Sequence, residues 1–320
     1  MRAAAILLSL AVPACWAQAV ISARSGLINF VEGDVQLEGQ PLKLDGAIFP
    51  NVKVGQTLST RSGFAEVLLT PGVFLRLDQN TTFRMLSDKL TDTQVEILRG
   101  SVLVEADEIL KDNRISVKLA DSDTLLVKTG LYHFNAEGGQ IRAFAGKAQV
   151  SNASKSTELK GGRTVLVGSS LTADKFNKKK SRDALYAWSE QRDYRLEIAN
   201  ISSARTHNSG SLSASMWSWN PGYGMFTFLP RTGYVYNPFG IYWYSPSYVW
   251  TVSQPVYNSG AGSIGNASTG ISAIGNSSTQ QSAPVTRSSV DSPAIGPSSG
   301  PPPGMGSASA GPRSAPTGNR

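Results

Sequence analysis

The chain has 320 residues, 40% hydrophobic and 17% charged, with 30 Lys and Arg against 23 Asp and Glu and a net charge of +7. Its charged fraction falls below the usual quarter for a soluble globular protein, and 31 Gly and 17 Pro are unevenly spread, so the average conceals a folded part and an unfolded part. Residues 20–170 balance at 17 basic and 17 acidic, residues 171–206 hold 8 and 5, and residues 207–320 hold 4 and 1, a distribution without the basic folded face that nucleic-acid binding needs.

The first element is a leader. Arg2 precedes the apolar run Ala3–Val12, and Ala17-Gln18-Ala19 supplies the small-x-small pattern of a signal-peptidase site. The run is too short to span a bilayer, which takes about 20 apolar residues. Cleavage after Ala19 is expected, leaving a periplasmic or extracellular protein with no transmembrane segment. A rival is lipidation at Cys15, since Val12-Pro13-Ala14-Cys15 loosely resembles a lipoprotein box, although Pro13 suits it poorly. Under ordinary cleavage the mature chain has no cysteine, which excludes disulfides, a thiol nucleophile and a cysteine metal site.

Residues 20–170 read as one all-β domain. Alternation runs through Val35–Leu37, Ala65–Leu69, Phe74–Leu77, Val95–Leu98, Val102–Val104, Ile115–Leu119, Leu125–Val127 and Thr164–Val167. The runs are short, rich in β-branched residues and separated by turn signals such as Pro71-Gly72, Asp112-Asn113 and Gly138-Gly139. Many strands without intervening helices predict a sandwich, a roll or a solenoid-like fold. A local pattern, apolar then two residues then Gly, recurs at Gly33, Gly100 and Gly146, where glycine suits a bulge or a bend. The spacing is irregular, so no repeat array is expected.

Residues 171–206 form a basic linker and a helix. Lys178-Lys179-Lys180 is the one dense basic cluster. It reads as a solvated linker, or as a contact for phosphate or an anionic surface. Leu185, Trp188, Leu196 and Ala199 share one helical face, interrupted by Arg192, while Arg182, Asp183, Glu190 and Asp193 fall mostly elsewhere. One amphipathic helix over 182–201 follows, packed on the β-domain or docking a partner. The segment 207–254 is aromatic-rich, with 13 aromatic residues between 216 and 250. Tyr234-Val235-Tyr236 and Ile241-Tyr242-Trp243-Tyr244 flank Asn237-Pro238-Phe239-Gly240, a turn signature between two strands. A lone hairpin is marginal in water, so its rings must pack on something. Residues 255–320 are a low-complexity Ser, Gly, Pro, Ala and Asn tail expected to be disordered.

Candidate chemistry is sparse. His133 lies in a strand-like stretch and His207 beyond the helix, neither with a second histidine nearby for zinc. Asp121/Asp123 and Asp107/Glu108 match no calcium loop and read as solvated turn residues. Gly260–Gly265 fits the spacing of a dinucleotide fingerprint but lacks the strand and helix that give it meaning. No Gly-x-Ser-x-Gly elbow is present. A non-enzymatic protein without cofactor or metal is therefore expected. The candidate interaction surface is aromatic: Trp217, Trp219, Tyr236, Tyr242, Trp243, Tyr244 and Trp250. Such rings anchor a protein partner or stack on sugars; the competing reading is a small packed β-unit covering the domain.

Gly33-Asp34-Val35, Val54–Thr60, Ser62–Val67, Leu98–Val102, Thr129-Gly130 with Phe134, Phe144–Val150 and Leu159–Gly162 follow one another across about 140 residues. In this order they resemble the FecR domain family. The resemblance implies an exported, cofactor-free, non-enzymatic all-β module of the cell envelope. It would bind or scaffold a protein partner, including in envelope signalling. The alternative is a glycan- or peptidoglycan-binding module using aromatic residues 217–250. The chain departs from regulatory members of the family in lacking a cytoplasmic helical segment and a membrane span before the β-domain, which puts direct sigma-factor control in doubt.

Overall fold

The computed structural model describes residues 24–44, 49–168, 170–207 and 212–253. The leader with Cys15, the tail 255–320 and its Gly260–Gly265 stretch lie outside the described residues. The strands are β1 (Leu27–Leu37), β2 (Gln40–Pro41), β3 (Thr57–Leu68), β4 (Val73–Leu77), β5 (Thr82–Lys89) and β6 (Asp92–Arg99). Then come β7 (Ser101–Ala106), β8 (Arg114–Leu119), β9 (Ser122–Asn135), β10 (Gln140–Ser151), β11 (Ser156–Lys160), β12 (Arg163–Leu166) and β13 (Ala173–Lys175). Helix α1 (Ala184–Thr206) leads into two hairpins, β14 (Met216–Asn220) with β15 (Met225–Leu229) and β16 (Tyr234–Tyr236) with β17 (Tyr242–Tyr244), and then α2 (Pro246–Ser253).

The first thirteen strands form one sheet that folds back on itself. The order β9-β7-β4-β3-β5-β6-β8 returns to β9 and closes a ring. Every pairing is antiparallel except β6 with β8. Two long strands turn the corners. The end of β3 pairs with β4 and its start with β5; the end of β9 pairs with β7 and its start with β8. One layer is thus built on β4 and β7, the other on β5, β6 and β8. Strands that cross between layers need a bend, and glycine supplies it. At the first corner Gly33 of β1 stands opposite Gly63 of β3. A Cβ on Gly63 would collide with the carbonyl oxygen of Glu32. At the second corner a Cβ on Gly130 of β9 would collide with the carbonyl oxygen of Ala145, and the β9–β10 register shifts there. The Tyr132 hydroxyl fills this irregularity by accepting from the Lys147 N–H at 2.8 Å. All-β architecture, with a barrel- or sandwich-like closure, is therefore the fold.

Val67, Leu75, Val104 and Phe134 of one layer share a dry core with Phe83, Val95, Val117 and Leu126 of the other. The β4–β7 layer is buried on both faces, since every residue of those two strands is buried. Its outer face is covered by α1 and the two hairpins. The helix begins at Asp183, whose carboxylate accepts the Tyr186 N–H at 2.9 Å. It runs to Thr206, five residues past the expected end. Its buried face is less apolar than expected: Leu185, Leu196 and Ala199 alternate with Ser189, Arg192, Asp193, Asn200 and Ser203. Asp193 is fully buried, which corrects its placement away from the packed side. No helix among the described residues is long and apolar enough to cross a membrane.

Candidate binding surface

The third layer is fastened by a buried polar cluster. Arg76 on β4 is without solvent contact, and its guanidinium donates to Glu66 at 3.0 Å, to Glu105 at 2.6 Å and to Asp193 of α1. Arg192, the supposed interruption of the helix stripe, donates to Glu66 at 2.8 Å. Burial alone would raise Glu66, but Arg192 and Arg76 bring its pKa down to about 2. Burial, with Asp107 alongside, pushes Glu105 up to about 8. Asp107 rises likewise to about 8, through burial and then the nearby Asp193. Burial also raises Asp193, against the pull of Arg76. Two guanidinium groups thus face four carboxyls, and the surplus acids are held protonated. Arginine fills the place a cation would take; among the described residues no His, Cys, Asp and Glu group is suited to a metal.

Three asparagines complete the stitching. Asn29 pairs with both the N–H and the carbonyl of Phe226, at 2.8 and 3.0 Å, tying β1 to β15. Asn200 of α1 takes the Tyr244 N–H at 2.9 Å and donates to the Phe228 carbonyl at 2.7 Å, tying the helix to both hairpins. Asn237 closes the β16–β17 turn by accepting from Phe239 and Ile241, and donates to Glu105 at 2.8 Å and Asp193 at 2.7 Å.

This attachment divides the seven expected surface aromatics. Trp217 and Trp243 are core residues, packed with Phe74 and Phe228, which corrects their assignment to a contact surface. The Trp243 indole donates to Asp107 at 2.6 Å, so Asp107 is buried rather than a solvated turn residue. Glu108 is half-buried beside it, while Asp121 and Asp123 are exposed as expected. Trp219 is half-buried between Phe49 and Phe226. His133 is buried in β9, its Nε2 3.2 Å from the Asp183 carboxylate. His207 caps the end of α1.

Tyr236, Tyr242 and Trp250 face outward, and Tyr244 is half-buried against Ala204, Leu229 and Val249. In the β16–β17 register Tyr234 opposes Tyr244, Val235 opposes Trp243 and Tyr236 opposes Tyr242. Side chains alternate across a strand, so Trp243 points into the protein and four tyrosines share the other face. Tyr248 of α2 joins them. Ring centroids lie 4.9 Å apart for Tyr236–Tyr242, 5.5 Å for Tyr234–Tyr242 and 5.7 Å for Tyr244–Tyr248. Tyr236 is 62% exposed and Tyr234 54%. Trp250, 53% exposed on α2, continues the aromatic surface. Burial, and then Glu197 beneath the ladder, raises the Tyr244 phenol, keeping it neutral. Tyr234 and Tyr248 are not among the sequence candidates; the Tyr-x-Tyr spacing of β16 carries the signal for Tyr234, and none marks Tyr248 on α2.

No family model and no curated protein matches the sequence. Among solved structures, two crystal structures of a "putative anti-sigma factor" from Parabacteroides distasonis align with it at 15% and 16% identity. Each has a TM-score of 0.35 and covers 42% of this chain and 64% of that one, under two thirds of the other protein's length.

Proposed function

We propose that this is a non-enzymatic binding protein of the bacterial cell envelope, and that the tyrosine ladder of β16, β17 and α2 is its contact surface for a protein partner. The observation behind this reading is the ladder: clustered tyrosine rings turned to solvent on a hairpin whose other face is locked into the core. Tyrosine offers a large, rigid, amphipathic contact at low entropic cost. Arg231 is the one charged residue between 212 and 253, amid Tyr, Ser, Gly, Asn and Trp, a composition that suits short-range contact rather than electrostatic steering. Export by cleavage after Ala19 and the FecR-like order of the glycine motifs give this reading its envelope setting and a place in signalling.

Crosslinking in intact envelopes followed by purification tests the proposal. A discrete adduct should form with the native protein and vanish with Tyr236→Ala and Tyr242→Ala, while folding is unchanged. Persistence of the adduct in that variant would refute the surface assignment. Binding to isolated peptidoglycan sacculi, lost in the same variant, would favour the sugar-stacking alternative.

A further inference from the structure

The excess positive charge of this chain is concentrated in one stretch. Residues 140–182 hold ten Lys and Arg against two Asp and Glu, a net of +8 where the whole chain carries +7. The balanced total over residues 20–170 conceals this, because most acids of that region come before β10.

The fold gathers much of this charge around the β11–β12 turn at Gly161-Gly162. Lys147 and Lys160 are cross-strand partners on β10 and β11. Arg163 and Lys175 are partners on β12 and β13. The Phe176 N–H donates to the Gly162 carbonyl at 3.2 Å, folding the following linker back over the turn. Lys178 then lies on Gly162, its Cε 3.3 Å from where a Cβ would stand. Glu158 serves both Lys147 and Lys160. Arg163, Lys175, Lys178, Lys179 and Lys180 make no ion pair among the described residues, and all but Arg163 are exposed.

We infer that this edge of the sandwich binds an anionic membrane surface through its phosphate headgroups. With only Glu158 and Asp174 among them, these like charges repel one another, and a distributed negative surface relieves that repulsion. The choice of a surface over a single phosphate follows from the donors. They are mostly lysines, compact charges on flexible exposed stems, and among the described residues no buried donor joins them to make a fixed cradle. Such clusters gain affinity additively from anionic lipid. The inference does not depend on the tyrosine ladder, which belongs to other elements and is uncharged.

Vesicle co-sedimentation of the full protein tests it, with phosphatidylglycerol mixed into phosphatidylcholine, against phosphatidylcholine alone. Binding should require the anionic lipid and fall away at high salt. Each lysine contributes roughly fivefold, so Lys178→Gln, Lys179→Gln and Lys180→Gln together should weaken binding roughly a hundredfold, with an unchanged denaturation midpoint. Equal binding to both vesicles, no binding to either, or full binding by the triple variant would overturn the inference. So would an equal loss on Tyr236→Ala and Tyr242→Ala, which would assign the binding to the ladder.

Discussion

Arg76→Met is the sharpest perturbation of the layer that carries the contact surface. The side chain is fully buried and serves carboxylates from three elements, Glu66 on β3, Glu105 on β7 and Asp193 on α1. Methionine fills a similar volume but leaves Glu66 with Arg192 and strips Glu105 and Asp193 of their cation. Removing one partner from a buried ion pair typically destabilises by about 3–5 kcal/mol. For a folded unit of this size that is a fall of roughly 6–20 °C in Tm. Exposed pairs are the control: Arg114→Gln breaks the exposed link to Asp92 and should cost about 0–1 kcal/mol. Urea titration followed by tryptophan fluorescence reads both, because Trp217 and Trp243 sit in the affected layer. Adding Glu105→Gln and Asp193→Asn to Arg76→Met should recover at least ~1 kcal/mol, since the acids left without the guanidinium donor are then replaced by neutral amides that carry donors of their own. If Arg76→Met behaves like Arg114→Gln, the buried cluster is not what fastens α1 and the hairpins to the sheet.

The same cluster sets a pH dependence. Glu105 and Asp107 keep their protons in the folded state up to about pH 8, while the unfolded chain loses them near pH 4. Unfolding therefore releases protons across that window, and stability should fall as pH rises from 4 to 8. Glu66 acts oppositely, its contribution being lost as pH falls from about 4.5 through its folded value of about 2. Asp107→Asn, which keeps an acceptor for Trp243, should flatten the fall of the denaturation midpoint between pH 4 and 8; an unchanged slope would contradict the assignment. Gly63→Ala places a methyl against the Glu32 carbonyl at the first corner and should destabilise by about 1–3 kcal/mol or more, as read by urea midpoint. Trp217→Ala removes a core ring and should cost about 3–5 kcal/mol, whereas Tyr236→Ala should leave the midpoint nearly unchanged; equal losses would place both rings in the core.

The β-domain was legible because its signals are local. Alternation at Val95–Leu98 and Ile115–Leu119, and glycines at 33, 100 and 146, act within a few residues, and each marks a strand, a bulge or a turn in the structure. What escaped was the second buried face. Arg76, Glu66 and Glu105 sit at alternate positions of ordinary-looking strands, where a charged residue signals solvent. Only partners distant in sequence, Asp193 and Asn237, reveal that this face is covered. The same blindness hid the role of Arg192, which broke an apolar stripe because Glu66 awaits it across the layer. Among the aromatics the period of two was available and decisive: Tyr242-Trp243-Tyr244 cannot present all three rings to one side. An abundance of tryptophan points to a contact surface, but the alternation puts Trp243 beneath it.

A photo-crosslinking residue at position 236, compared with one at exposed Leu98 on β6, tests the central claim most directly. The ladder predicts one discrete partner adduct in intact envelopes from position 236 and none from position 98. Adducts of equal yield from both, or from position 98 alone, would contradict it.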